Sequence, residues 1–456
     1  MANIELPIRD SFSSKLGVIA AAAGSAVGLG NIWRFPYVTG ENGGGAFLLI
    51  YLCFVFAIGF PVMLAEFTIG RRAQRNALGS FKKLAPGKPW YLIGLMGIVA
   101  AFMILAFYST IAGWTLEYLV QAFANGFDGK TSEQLTRSFE VFQGGTFRPL
   151  LWQVVFMFLT AFIIYKGVKN GIEKYTKILM PLLIVLIIII CIRSLTLEGA
   201  KEGLDFLFRP DFSKIKLTVV LKALGQAAFS LSIGMGTLIT YGSYIQKNNN
   251  LPVTALQVSV ADTVIAILAG VMIFPAVFAF GINPAEGPGL VFIVLPNIFE
   301  QMAGGYYFAI IFFTLLSIAA LTSTVSVLEV VVAYFSEELN MKRGKATIIA
   351  ATAIGFVGVF ATLSFGPLKN ALIFGKTIFD WFDYLSANIL LPLGAILIVI
   401  FVGWYLGKKN VRDELSNQGA LKGKFVNTFM IIVKFIAPIA ITLAFLYGLG
   451  LIGSAA

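Results

Sequence analysis

Apolar residues fill this chain in long runs, and polar residues gather in the gaps between them. Crossing a hydrocarbon layer as a helix takes about 20 apolar residues. Eleven runs meet that length, near 14–38, 43–70, 90–123, 149–166, 174–193, 216–244, 256–281, 305–336, 346–363, 378–403 and 426–450. The pattern predicts an all-α polytopic membrane protein. The gap at 124–148 is polar and long and reads as an outer connection. Residues 287–305 are semi-apolar, too short to span and interrupted by Pro296, and read as a re-entrant cap on the outer face. Gly171 and Pro181 bracket the start of the fifth run. Proline removes a backbone hydrogen bond and crowds the preceding turn, so this start reads either as a hinge or as a tolerated membrane proline packed against its neighbours.

Two runs are interrupted. The first holds Gly24, Gly28 and Gly30 within GSAVGLGNIWRFP, and the sixth holds SLSIGMG from Ser230 to Gly236. Irregular backbone at membrane depth must be buried in protein or line a polar cavity. Glycine-interrupted segments in corresponding positions of two halves point to a transporter site. The N-terminus of a half-helix offers unpaired N–H groups and partial positive charge, which suit a carboxylate. The free carbonyls at the end of the other half suit a cation or an ammonium group. An α-amino acid carries both charges at one carbon. Gly28, Leu29 and Gly30 form the first break without an Asp or Glu, as suits a substrate that brings its own carboxylate.

Composition sharpens the class. Hydrophobic residues make up 58% of the chain and charged ones 12%, against roughly 25% charged in soluble domains. Lysine and arginine crowd the N-terminal tail and the connections at 71–88, 166–177, 342–345 and 408–424. These gaps alternate along the chain, so they share one side, the cytoplasm. The N-terminus is then inside and, with eleven spans, the C-terminus outside. Residues 194–214 carry basic groups against this trend. The net charge of +11 thus follows from topology and gives no sign of nucleic-acid binding.

With no histidine in the chain, and with Cys53 and Cys191 lying in apolar runs, there is no histidine base, no Ser-His-Asp triad and no zinc-ligand spacing. The chain does not read as an enzyme. A channel would want a symmetric filter or a ring of like charges, and neither is present. Hard cations select oxygen ligands. Asn31, Ser230, Asp262 and the run Ala319 to Thr324 supply them near the breaks. Asp262 lies inside an apolar run, where an acid is expensive and functional by default. Glu66 meets the same test, or else serves backbone groups freed at the breaks.

These stretches carry a resemblance. The motifs are GSAVGLGNIWRFPY followed by ENGGGAF, GWTL at 113–116, GIEKYTKILMP at 171–181, GQAAFSLSIGMG at 225–236, LPNIFEQMAGG at 295–305 and LTSTVSV at 321–327. From about Phe12 through the eleventh run, the chain resembles the bacterial branch of the neurotransmitter:sodium symporters. The resemblance implies the leucine-transporter type of fold in a single domain over 1–456. Inverted five-helix repeats would occupy about 14–193 and 216–403, with helices 1 and 6 broken and one additional helix at about 426–450. It implies sodium-coupled symport of neutral hydrophobic or aromatic amino acids across the bacterial inner membrane, independent of chloride. A sodium-independent exchanger of related architecture is the alternative. Oligomeric state is left open.

By position, the resemblance also assigns residues. The first of two sodium (Na+) sites takes the Ala26 carbonyl, Asn31, Ser230 and Asp262. Asp262 stands where the family usually has Asn, so its charge would replace chloride. The second takes the carbonyls of Gly24, Val27 and Ala319 with Thr322 and Ser323. The substrate head group is expected on the amides from Ala26 to Gly30, including Gly28 and Leu29, and on the Tyr108 hydroxyl. Its amine would face Ala26, Phe229 and Ser230. Ser25, Ile104, Phe229, Ser232, Met235, Ser326 and Val327 would line the side-chain pocket. Tyr108 and Phe229 would form its lid. Arg34 with Asp383 is implied as the outer gate, Asp380 being a nearby competitor, and Arg9 with Glu337, helped by Tyr244, as the inner one.

Overall fold

The computed structural model describes residues 10–284, 291–421, 423 and 425–452. No strand occurs among them. The first run is two half-helices, α1 (Lys15–Ala26) and α2 (Gly30–Glu41), bent by 47°. Then come α3 (Gly45–Ala73), α4 (Tyr91–Phe123), α5 (Phe147–Tyr165) and α6 (Val168–Leu195). The sixth run is α7 (Leu217–Ser230) and α8 (Thr237–Gly242), followed by α9 (Leu251–Ala279), α10 (Gly305–Glu338), α11 (Arg343–Leu363), α12 (Ile378–Leu415) and α13 (Val426–Gly448). Among the described residues, nine continuous helices have the length and composition to cross a membrane, and the bent pair α1–α2 makes a tenth span. An eleventh requires α7 and α8 to be taken as one broken crossing.

Both breaks have local causes. Ser14 caps α1 by accepting the Gly17 N–H at 3.0 Å. The helix ends because Val27 turns to extended backbone (φ −77°, ψ 99°). In the second break Ser232, Gly234 and Gly236 all have left-handed φ, at 55°, 86° and 76°. Gly234 is doubly required there, since a Cβ would lie 2.4 Å from the Leu391 carbonyl oxygen. The fifth run starts earlier than its apolar residues imply. A wide turn over Val168–Glu173 leads into it, and Pro181 is accommodated inside the helix that follows.

The polar gaps are more ordered than their composition implies. The connection at 124–148 contains a helix, Ser132–Gly144, closed at its start by a reciprocal capping box on Thr131 and Gln134. The semi-apolar segment contains Val294–Gln301, which buries Leu295, Pro296, Ile298 and Phe299 without spanning; residues 287–290 of it lie outside the described residues. The tenth run continues well past position 403, to Leu415. That extension is fastened: Arg71, buried at the end of α3, donates to Glu414 (2.6 Å) and to the Asn249 carbonyl (2.6 Å). Burial is deepest in α9 and α10 and slightest in α13, so the enclosed centre lies around the breaks.

Helix α3 touches α8 at Gly70, where any Cβ would lie 2.0 Å from the Ile239 carbonyl oxygen and 2.8 Å from the Ser243 nitrogen. Gly70→Val should therefore cost about 1–3 kcal/mol by overpacking, read as a lowered melting temperature of the purified protein in detergent. Melting with the wild type would show that these backbones do not meet.

Candidate functional site

Four polar side chains from four helices converge beside the first break. The Asn31 amide donates to both the Asp262 carbonyl (3.1 Å) and its carboxylate (2.8 Å). The Ser230 hydroxyl, at the last residue of α7, bridges the two carboxylate oxygens at 2.9 and 3.0 Å. Tyr51 reaches the same carboxylate at 3.4 Å and the Ser230 oxygen at 3.3 Å. Asp262 itself is wholly buried. The partners that reach its carboxylate, Asn31, Ser230 and Tyr51, are all neutral. A buried charge is costly unless paired, so this pocket of oxygens favours a cation. Ala26 ends α1, where the last helical carbonyls lack partners along the helix.

A second oxygen cluster joins α1 to α10. Thr322 lies 3.4 Å from the Val27 carbonyl oxygen and 3.0 Å from that of Ala319. Ser323 approaches the Ser25 carbonyl at 3.5 Å. Gly24 packs on this cluster, its missing Cβ only 3.3 Å from the Thr322 Cβ. Ser25 ties the breaks together, because its carbonyl also accepts the Ser232 hydroxyl at 3.0 Å.

Between the breaks lies a cavity of about 40 Å³ lined by Ser25, Ala26, Gly28, Gly30, Ile104, Leu105, Tyr108, Phe229, Ser232, Met235, Ser323 and Val327. Most of the expected pocket is thus brought together. Ser326 is the exception: it turns its hydroxyl back to the Ser323 carbonyl at 2.7 Å. Leu29 gives its N–H to the Tyr108 oxygen (3.1 Å), so the head-group amides and that hydroxyl are adjacent. A second cavity, of about 300 Å³, is lined by Arg34, Tyr37, Gln226 and Asn388 among others, and Phe229 borders both spaces. The Arg34 guanidinium covers that ring at 4.2 Å. Ordinary ligand pockets begin at about 300 Å³, so the inner walls must part to take a substrate.

The gates are less complete. Asp383 lies within the field of Arg34, yet no direct ion pair joins them among the described residues. Asp380 is engaged in capping, accepting the Thr377 hydroxyl at 2.7 Å. Arg9 lies outside the described residues. Glu337 accepts the Asn76 backbone N–H (2.8 Å) and its side-chain amide (3.0 Å). Tyr244 donates to Glu329 at 2.6 Å, and Glu329 is paired with Arg343 at 2.5 Å. Glu66 serves the second break, accepting the Gly234 N–H at 2.8 Å.

Some participants escape the sequence reading. Tyr51 looks like any aromatic residue in an apolar run. Gln226, which donates to the Gly30 carbonyl at 3.1 Å, gives no signal beyond its position. Glu329 does carry one, since it is an acid within an apolar run like Asp262.

Two broken helices around a cavity with flanking oxygen clusters define a multi-pass membrane transporter. Sequence profiles of the sodium:neurotransmitter symporter family match residues 9–144 and 133–452, and the chain belongs to that family. It is 42% identical over 441 residues to the uncharacterized sodium-dependent transporter YhdH of Bacillus subtilis (strain 168), covering 97% of this chain and 98% of the relative. A second uncharacterized sodium-dependent transporter, from Haemophilus influenzae, is 41% identical over 452 residues, covering 97% and 98%. The crystal structure of MhsT in complex with L-phenylalanine superposes with a TM-score of 0.90 at 51% identity, covering 97% of this chain and 100% of that one.

Two substitutions test the geometry. A Cβ on Gly28 would lie 2.0 Å from the Ser323 oxygen, so Gly28→Ala should weaken sodium-dependent ligand binding roughly tenfold or more; overpacking of about 1–3 kcal/mol corresponds to that range. Tyr51→Phe removes one hydroxyl from Asp262, worth about 1 kcal/mol. A several-fold loss of sodium affinity in equilibrium binding is the expected reading, and an unchanged isotherm would separate Tyr51 from the cation pocket.

Proposed function

We propose that this protein imports neutral hydrophobic or aromatic amino acids together with sodium, by alternating access around the cavity between the two breaks. One observation carries the reading: Asp262 is a fully enclosed carboxylate whose bonding partners are all neutral. Ala26, Asn31, Ser230 and Asp262 hold the first sodium ion, with the substrate carboxylate completing the set. Gly24, Val27, Ala319, Thr322 and Ser323 hold the second. The shared carboxylate couples substrate and sodium binding reciprocally. The fixed charge of Asp262 takes the place of chloride.

The substrate carboxylate lies on the amides at the start of α2 and on Tyr108, with its amine toward Ala26, Phe229 and Ser230. The flexible thioether of Met235 shapes itself to irregular or aromatic side chains. The phenylalanine complex of MhsT supports an aromatic substrate here. Phe229 with Arg34 closes the outer side. On the inner side, the set formed by Tyr244, Glu329 and Arg343 opens as α1 swings from α6. The location is the bacterial cell membrane, with the N-terminus inside. A sodium-independent exchanger would lack the Thr322–Ser323 pair or replace it with a basic group, and this chain keeps the pair.

Reconstituted liposomes test the reading. Uptake of labelled leucine, tyrosine and tryptophan should need an inward sodium gradient, vanish when potassium replaces sodium, and ignore chloride. Uptake indifferent to sodium retires both cages in favour of exchange. Asp262→Ala should abolish sodium-dependent binding while the protein elutes as a folded species; unchanged affinity would refute the first cage.

A further inference from the structure

An apolar hollow lies on the outer wall of the bundle, away from the cavity between the breaks. It is a groove of about 470 Å³ between α5 and α11, lined by Met157, Phe158, Ala161, Ala351, Gly355 and Phe356 among others. Its rims face outward: Phe158 and Phe356 are each 66% exposed. Small residues hollow the floor, and a Cβ at Gly355 would meet nothing within 4 Å. Buried hydrogen bonds fix that floor, with Gln153 donating to the Gly355 carbonyl (3.2 Å) and accepting from Thr362 (2.9 Å).

The groove has a direction. On α11 its lining runs from Ile348 to Val359, about 16 Å along a helix axis. That is roughly half of a 30 Å hydrocarbon core, the depth of one leaflet. One end opens beside Lys166, Lys342 and Lys345, all exposed. Gly344 packs against the Tyr165 ring, which brings the ends of α5 and α11 together, and the exposed Lys166 ammonium lies over the Phe162 ring at 4.3 Å. Nearby acids are engaged elsewhere: Glu338 with Lys82 and Arg75, Glu329 with Arg343, and Glu173 with Lys177. Basic pockets between membrane helices on the cytoplasmic side bind anionic head groups.

We propose that this groove is a site for an anionic phospholipid. One acyl chain lies between α5 and α11, and the phosphate rests on Lys166, Lys342 and Lys345. Charge complementarity selects the head group, and the leaflet-deep hollow selects the chain.

Native mass spectrometry of the full protein tests this, after brief delipidation and addition of dioleoyl phosphatidylglycerol or dioleoyl phosphatidylcholine. The wild type should retain phosphatidylglycerol roughly tenfold better or more, given the strength of lysine attraction to anionic lipid. Replacing Lys166, Lys342 and Lys345 by Gln should erase the preference and leave weak retention of both lipids. Gly355→Phe, which fills the hollow, should lose both while melting with the wild type. Equal retention of the two lipids by the wild type would overturn the proposal, as would full retention of phosphatidylglycerol by the folded Gly355→Phe protein. A dimer that Gly355→Phe dissociates without changing lipid retention would instead make the groove a contact between copies. If Gly355→Phe fails to fold, the surface lysine variant decides alone.

Discussion

A carboxylate shut away from water needs positive charge, and the centre of this protein is built around that need. Asp262 draws in Asn31, Ser230 and Tyr51, yet none neutralises it. Removing a charge from water costs several kcal/mol even after relaxation. The start of α2 and the end of α7 meet this carboxylate through Asn31 and Ser230 without adding a fixed cation. A lysine or arginine there would relieve the cost permanently and end any dependence on a mobile ion.

The breaks themselves are stabilised by exchanged hydrogen bonds. Each interruption frees backbone groups that lipid cannot satisfy. Glu66 serves Gly234, Gln226 serves Gly30, and Ser232 serves Ser25. Two of these bonds cross directly between the first and sixth runs. The first break is therefore held by side chains from the sixth run, while the second leans on Glu66 of α3.

Much of this was legible in the chain. Apolar runs of about twenty residues have one interpretation when charges are scarce, and glycine clusters inside them have few. Asp262 announced itself because an acid in an apolar run is rare. The site's walls were also reachable, since Tyr108, Phe229 and Met235 sit in recognisable motifs. What escaped depends on three-dimensional approach. Tyr51 acts through one hydroxyl that meets Asp262 from another helix, and nothing local marks it. Ser326 has the right spacing but spends its hydroxyl on its own helix, an option open to any serine in an apolar helix. The helix Ser132–Gly144 hid in a polar gap because composition measures exposure better than order. The partnership of Tyr244 with Glu329 is likewise a matter of helix ends meeting in space.

The ring of Phe229 is a wall common to two chambers. Side-chain rotation takes about nanoseconds where a residue is not fully enclosed, whereas rocking of packed helices takes about microseconds to milliseconds. Phe229 is only partly buried, and the guanidinium of Arg34 stacks on it. Rotation of that ring opens a way between the chambers, but the inner one holds only about 40 Å³, so the packed helices must also part before it can admit a solute. The commitment to admit a solute then belongs to the helices and not to the lid.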